Sequence, residues 1–205
     1  MNKYLAASVI LLLLVSILLS INSIRQRRML VEKVCALSDV EQEKRSLLDL
    51  VYGNMKMHYA YAEFHFQDFI LLDKERNKVK FSTIIGSSAK VIYKFSSSNC
   101  SSCIQSGLAS IQKLIRKIPE NQLIIVADGS TRRELQALSN SLHLNYPIYL
   151  TEDGAFDTIL RKENIPFMFV VGPDMQMKDL FIPMKELPEY SEMYYHTIWR
   201  KYFKQ

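Results

Sequence analysis

Cysteine is scarce in this chain: Cys35, Cys100 and Cys103 are all it has among 205 residues. Three cannot build the disulfide framework that holds small secreted domains together. Zinc lacks its ligands too. A structural zinc site takes four, and no second C-x-x-C stands beside that of Cys100 and Cys103. His58, His65, His143 and His196 make no H-x₃₋₅-H pair. No metal and no other cofactor is therefore expected. Glycine and proline, at 6 residues each, are too few for a collagen-like or low-complexity chain. No internal repeat is present. The formal charge of +5 is mild and scattered, with no basic stripe interleaved with aromatics. Nucleic acid is not an expected partner.

What is present is an ordinary globular composition, 48% hydrophobic and 23% charged, with length enough for one domain and something more. The extra part is N-terminal. Residues Leu5 to Ile24 carry no charge. Twenty helical residues rise about 30 Å, the thickness of a bilayer's hydrocarbon core. A cleaved signal would need small residues before its cut site. Ser20-Ile21-Asn22-Ser23 offers serines but nothing like A-x-A. No cysteine follows the run closely, which argues against a lipoprotein. The expectation is an uncleaved transmembrane anchor in segment 1–24, spanning the membrane with residues 5–24.

Segment 25–62 is polar, with periodic apolar residues and no proline. Leu30, Val34, Leu37, Leu48 and Val51 follow an alternating 4-3 spacing that Glu41 and Lys44 interrupt. The spacing predicts a helical linker. A spacer that lifts the domain off the bilayer is favoured over a coiled-coil homodimer, which stays open. Cys35 lies on this linker. It reads as an inert small residue, with an intermolecular disulfide as the alternative.

The pattern changes over 63–205. Phe66 to Leu72 reads as a strand, Asp73-Lys74-Glu75-Arg76-Asn77 as a turn, and Lys78 to Phe81 as a second strand. Lys90 to Phe95 is a strong strand. After Ser96-Ser97-Ser98-Asn99-Cys100 comes a helix with apolar residues at 104, 108, 111, 115 and 118. Leu123 to Ala127 reads as a buried strand, Thr131 to Leu142 as a helix, Asn145 to Leu150 as a strand, and 154–163 as a short helix. Strands alternating with helices imply an α/β fold with parallel pairing. Pro166 to Val171 and Met177 to Pro183 then form an antiparallel hairpin about Gly172-Pro173-Asp174. A last helix over 187–203 carries Tyr190, Tyr194, Tyr195, Trp199, Tyr202 and Phe203, expected to pack on the sheet.

Four placed features carry a resemblance over roughly residues 64–205. A C-x-x-C opens a helix straight after a strong strand. An extra β-α unit follows. Glu163-Asn164-Ile165-Pro166-Phe167-Met168-Phe169-Val170 then enters a strand through a proline, and a hairpin with a helix closes the chain. In these the chain resembles the thioredoxin-like superfamily, and most of all the membrane-anchored thiol–disulfide oxidoreductases and redoxins that include the alkyl hydroperoxide reductases. It departs from the family's usual motif, reading Asn99-Cys100-Ser101-Ser102-Cys103 without the tryptophan or the intervening proline. Lys94 stands where thioredoxins often carry a buried acid, and reads as a solvated side chain. A peroxiredoxin motif would need proline at Tyr93, which argues against peroxidase chemistry.

The chemistry follows from position. A thiolate is the attacking species in disulfide exchange, and a helix N-terminus favours that anion. Cys100 is the expected nucleophile with a lowered pKa, and Cys103 the expected resolving thiol. The resemblance implies a cis Ile165–Pro166 bond beside the cysteines, with Ile165 offering backbone to an extended substrate. It also implies a protein disulfide substrate and a membrane or extracytoplasmic electron donor. Orientation cues conflict. Arg25, Arg27, Arg28 and Lys33 would hold the domain in the cytoplasm by the positive-inside rule. Signal-anchor logic and redox chemistry favour a periplasmic domain on a bacterial-type inner membrane, which is the expectation. The alternatives are a non-catalytic thioredoxin-like binding module and a redox sensor, either with a structural disulfide.

Overall fold

The computed structural model describes residues 2–115, 118–142, 146–151, 156 and 165–204, with side chains omitted at 2–12, 14, 113–115, 120, 141 and 142. One helix, α1, runs from Asn2 to Ala60. Among the described residues no helix is long and apolar enough to cross a membrane. Within the span expected over 5–24, the side chains of 5–12 and 14 lie outside those described. The chain divides into two compact units, Met1–Asp49 and Leu50–Gln205. The last turns of α1 thus belong to the second, globular unit.

The globular unit is built on a sheet of β1 (Ile70–Leu72), β2 (Lys78–Lys80), β3 (Lys90–Ser96), β4 (Leu123–Asp128), β5 (Ile148–Thr151), β6 (Phe167–Val171) and β7 (Met177–Phe181). Their order is β2-β1-β5-β4-β3-β6-β7. The β3–β4 and β4–β5 pairs are parallel, whereas β6 runs antiparallel to β3 and forms a hairpin with β7. The fully buried runs of β3, β4 and β6 are near-continuous apolar sequence, as strands covered on both faces require.

Alternation along β3 sends side chains to two cores. Val91, Tyr93 and Phe95 face α3 (Ser101–Ile115), α4 (Arg132–Leu142) and α5 (Pro188–Ile198), whose Ile104, Leu108, Ile111, Leu135, Tyr195 and Ile198 complete that core. Ile92 faces the other side, where Phe66, Phe81, Phe156, Phe167 and Phe169 cluster. Phe66 and Phe169 stack there at 5.4 Å, and Phe69 and Phe81 at 4.6 Å.

Several expected bounds shift for physical reasons. Phe81 does not extend β2; it opens a short helix, α2 (Phe81–Ile85). The Asp68 carboxylate accepts from Ser82 N at 2.9 Å and Ser82 Oγ at 2.8 Å, fixing that turn from 14 residues away. The first strand is only Ile70–Leu72, and His65 forms an isolated bridge with Gln176. The last helix ends at Ile198 and widens into a π-turn over Trp199–Phe203, with Lys204 N donating to Trp199 O. The helix expected at 154–163 lies outside the described residues, apart from Phe156.

The end of α1 is held by Asn54, which is 3% exposed. Its amide donates to Ile182 O at 2.7 Å and accepts from Ile182 N at 2.9 Å. One helical side chain thereby satisfies both backbone groups of a residue just past the edge strand β7, where unpaired groups would otherwise invite another chain.

Candidate active site

Strand β3 ends at Ser96, and after four connecting residues the chain starts α3 at Ser101. Asn99 knits the connection. Its Oδ1 accepts from Ser96 N at 2.7 Å, and its own N–H donates to Ser96 O at 2.9 Å. Asn99 is buried, and it occupies the place of the tryptophan that the motif lacks. Ser97 N donates to Asp128 O at 2.9 Å, tying the same loop to the end of β4. Gly129 turns the chain there at φ 62°, and a Cβ on it would lie 3.0 Å from Ser97 Oγ. Glycine is needed for both reasons.

Cys100 caps α3. Its carbonyl accepts from Cys103 N and Ile104 N, each at 3.0 Å. Its thiol is exposed, and all three cysteines are free. Cys100 Sγ lies 3.0 Å from Ser102 Oγ. The Cys100 pKa falls from 9.0 to about 6. The Cys103 thiol is the largest influence, donating to Cys100 sulfur; the Ser102 hydroxyl and the N–H groups of the first helical turn follow. Cys103 is half-buried, and its pKa is raised by the proton it shares with Cys100, by burial and by the neighbouring charge. The positive Lys185, between β7 and α5, draws it partly back. The two thiols titrate as a pair with their roles separated: one exposed and acidic, one recessed and holding its proton.

Ile165 and Pro166 precede β6. Phe167 opposes Lys94 in the antiparallel register, so Pro166 lies at the end of the central strands, where β3 ends and the Cys100 loop begins. The expected cis bond is not found. No peptide bond among the described residues is cis, so Ile165–Pro166 is trans. A proline that opens a strand needs only to lack a ladder N–H, and trans satisfies that at lower cost.

Lys94 corrects a second expectation. Its side chain is 10% exposed rather than solvated, and Nζ lies 3.5 Å from Asp128 Oδ2. Thr151 Oγ1 donates to Asp128 Oδ1 at 3.0 Å, and the Phe167 ring centroid is 5.7 Å from the ammonium. Burial of an amine is tolerated here because a carboxylate and an aromatic face receive it. The pair joins the ends of β3, β4 and β6 beneath the loop. Sequence reading missed Asn99, Lys185 and Asp128. An asparagine just before a helix-opening cysteine was a usable signal; Lys185, 82 residues beyond Cys103, gave none.

The arrangement can be compared with known proteins. No protein-family model matches the sequence, and no curated protein matches it. Solved structures do. A candidate protein disulfide isomerase from Bacteroides thetaiotaomicron superposes with a TM-score of 0.50 at 20% identity, over 64% of this chain and 86% of that one. The fold is thioredoxin-like. The thioredoxin domain of a thiol-disulfide oxidoreductase from Bacteroides vulgatus gives 0.49 at 11% identity, over 65% of this chain and 96% of its own. A peroxidoxin from Mycobacterium tuberculosis gives 0.49 at 14%, over 67% and 97%. In this thioredoxin-like domain the C-x-x-C opens α3 directly after the central strand β3.

Proposed function

We propose that this chain is a membrane-tethered thiol–disulfide oxidoreductase that reduces disulfides of extracytoplasmic proteins through Cys100 and Cys103. One observation carries the reading: an exposed helix-capping thiol with a pKa of about 6, hydrogen-bonded by a recessed partner thiol three residues on. At neutral pH such a thiol is mostly thiolate. Cys100 Sγ⁻ attacks one sulfur of a substrate disulfide; that S–S bond breaks and one substrate thiolate leaves. Cys103 then gives up its proton and attacks Cys100 Sγ. The mixed disulfide breaks, the second substrate sulfur leaves as a thiolate that takes up a proton, and Cys100–Cys103 is left oxidised by two electrons. A dithiol donor in or beyond the membrane restores it. Ile165 and Pro166, at the same end of the central strands, are the proposed rest for the substrate backbone. Residues 5–24 are the proposed tether in a bacterial-type inner membrane, with the domain in the periplasm, and α1 offers a route to a homodimer.

The test uses the full chain in detergent with a small dithiol as electron source. Reduction of a disulfide-bonded test protein should accelerate over the dithiol alone, and Cys100→Ser should abolish the gain. No acceleration would favour the second reading, a thioredoxin-like binding module. The trans Ile165–Pro166 bond favours that module. A reporter active only outside the membrane, fused after Gln205, should be active; silence would place the domain in the cytoplasm.

A further inference from the structure

A buried hydroxyl lies beneath the redox helix and has no part in the exchange chemistry. Tyr93, on the α3 face of β3, is 0% exposed. Its hydroxyl donates to Ile104 O at 3.2 Å, the carbonyl next to Cys103 in the chain. The helix is shaped to receive it. A Cβ on Gly107 would run into the Tyr93 hydroxyl and lie 2.8 Å from Cζ and 3.0 Å from Cε2. Glycine in mid-helix costs about 1 kcal/mol relative to alanine, so the gap has a cost that the tyrosine's seat offsets. Leucine or phenylalanine would fill the same core without a buried polar atom that must be satisfied.

The surroundings of this hydroxyl are specific. Cys103 lies within its electrostatic reach, and a charge there holds the phenol further toward its neutral form. Tyr195 of α5, 4% exposed, acts on the phenol in the same direction. Burial pushes its own phenol up toward the neutral form, and the Ser110 hydroxyl of α3 draws it partly back. Lys185 faces Cys103 from the segment before α5. Tyr93 is thus the one of these groups that grips the backbone of the first turn of α3.

We propose that Tyr93 is a positioning residue for the redox pair: its hydroxyl holds the first turn of α3 down on β3, which keeps Cys103 recessed and its thiol aimed at Cys100. The proposal rests on the redox reading above and deepens it. If the tether is lost, Cys103 rises, its hydrogen bond to Cys100 loosens, and the difference between the two thiols shrinks.

Tyr93→Phe in the full chain removes only the oxygen and leaves the ring in the Gly107 gap. Two readouts follow: the pH midpoint of Cys100 alkylation, and the ratio of Cys103 to Cys100 labelling at limiting reagent. A merely structural tyrosine would change melting and leave both untouched. The expected result is a Cys100 midpoint raised by roughly half to one unit, and a labelling ratio up about three- to tenfold, the scale of one hydrogen bond. Should Tyr93→Phe fail to fold, Gly107→Ala displaces the hydroxyl from the helix side and should shift both readouts in the same direction. Unchanged midpoint and ratio in either folded variant would overturn the proposal. A wild-type chain whose Cys100 titrates near 9.0 would overturn the redox reading and the proposal with it, and that failure is seen before any variant is made.

Discussion

Replacing Cys103 with alanine asks what makes Cys100 acidic. The largest influence on Cys100 is the hydrogen bond from the Cys103 thiol, ahead of the Ser102 hydroxyl at 3.0 Å and the N–H groups of the first helical turn. A thiol with a pKa of about 6 is about nine-tenths thiolate at pH 7, against about one per cent for a pKa of 9.0. That is about a ninetyfold gain in the reactive species. Intrinsic nucleophilicity falls as the pKa falls, with a Brønsted slope of about 0.45, which takes back about twentyfold. The net gain at pH 7 is only about fourfold, too small to diagnose from one rate. The pH profile is diagnostic. Alkylation of wild-type Cys100, followed site by site by mass spectrometry, should rise with a midpoint near 6. In Cys103→Ala the midpoint should move up by at least about one unit, and in Ser102→Ala by less. A wild-type midpoint near 9, or one that ignores the loss of Cys103, would refute the reasoning.

Three further outcomes are expected. The folded Cys100 pKa lies below 9.0, so the native dithiol state binds fewer protons than the unfolded chain between about pH 6 and pH 9. Stability should rise with pH across that window and be lost as pH falls through 6; Cys103, whose pKa is raised, acts only above 9. Denaturant melts of the reduced protein should show this slope and Cys100→Ser should flatten it. Asp128→Ala should cost about 2–3 kcal/mol, short of the fully buried range because the carboxylate is 22% exposed, and pairing it with Lys94→Met should recover most of that. A double variant as unstable as Asp128→Ala would mean that the pair does not act as a unit. Asn54→Ala leaves Ile182 N–H and C=O without their partner and should cost about 2 kcal/mol, with faster hydrogen exchange at Ile182; unchanged exchange would contradict the clamp.

The parts of the fold that the sequence reveals are those written locally. The apolar run of β3, the helical period of α3 and the cysteine between them lie within 26 residues, and each is read from its own neighbours. The β6–β7 hairpin about Gly172-Pro173 is local in the same way. What escapes is settled by partners far along the chain. Phe81 turns into a helix because Asp68 caps Ser82, against an alternating pattern that reads as strand. Lys94 reads as a surface residue until Asp128, 34 residues on, arrives through parallel pairing of β3 and β4. Asn54 looks like any polar helical residue, and its partner Ile182 is 128 residues away. The proline entry to β6 is legible, but its isomer is not, since the rule placing proline at a strand's first residue holds for either.

The most direct test of the central claim is to trap the exchange intermediate. Cys103→Ser in the full chain should hold a protein disulfide substrate as a stable mixed disulfide at Cys100, because the attacking thiolate remains and the resolving thiol is gone. Cys100→Ser should trap nothing. Mass spectrometry of the non-reduced adduct identifies the linked cysteine. Adducts through Cys100 in Cys103→Ser alone are the predicted result; no adduct, or adducts that form through Cys103 when Cys100 is absent, would contradict the account.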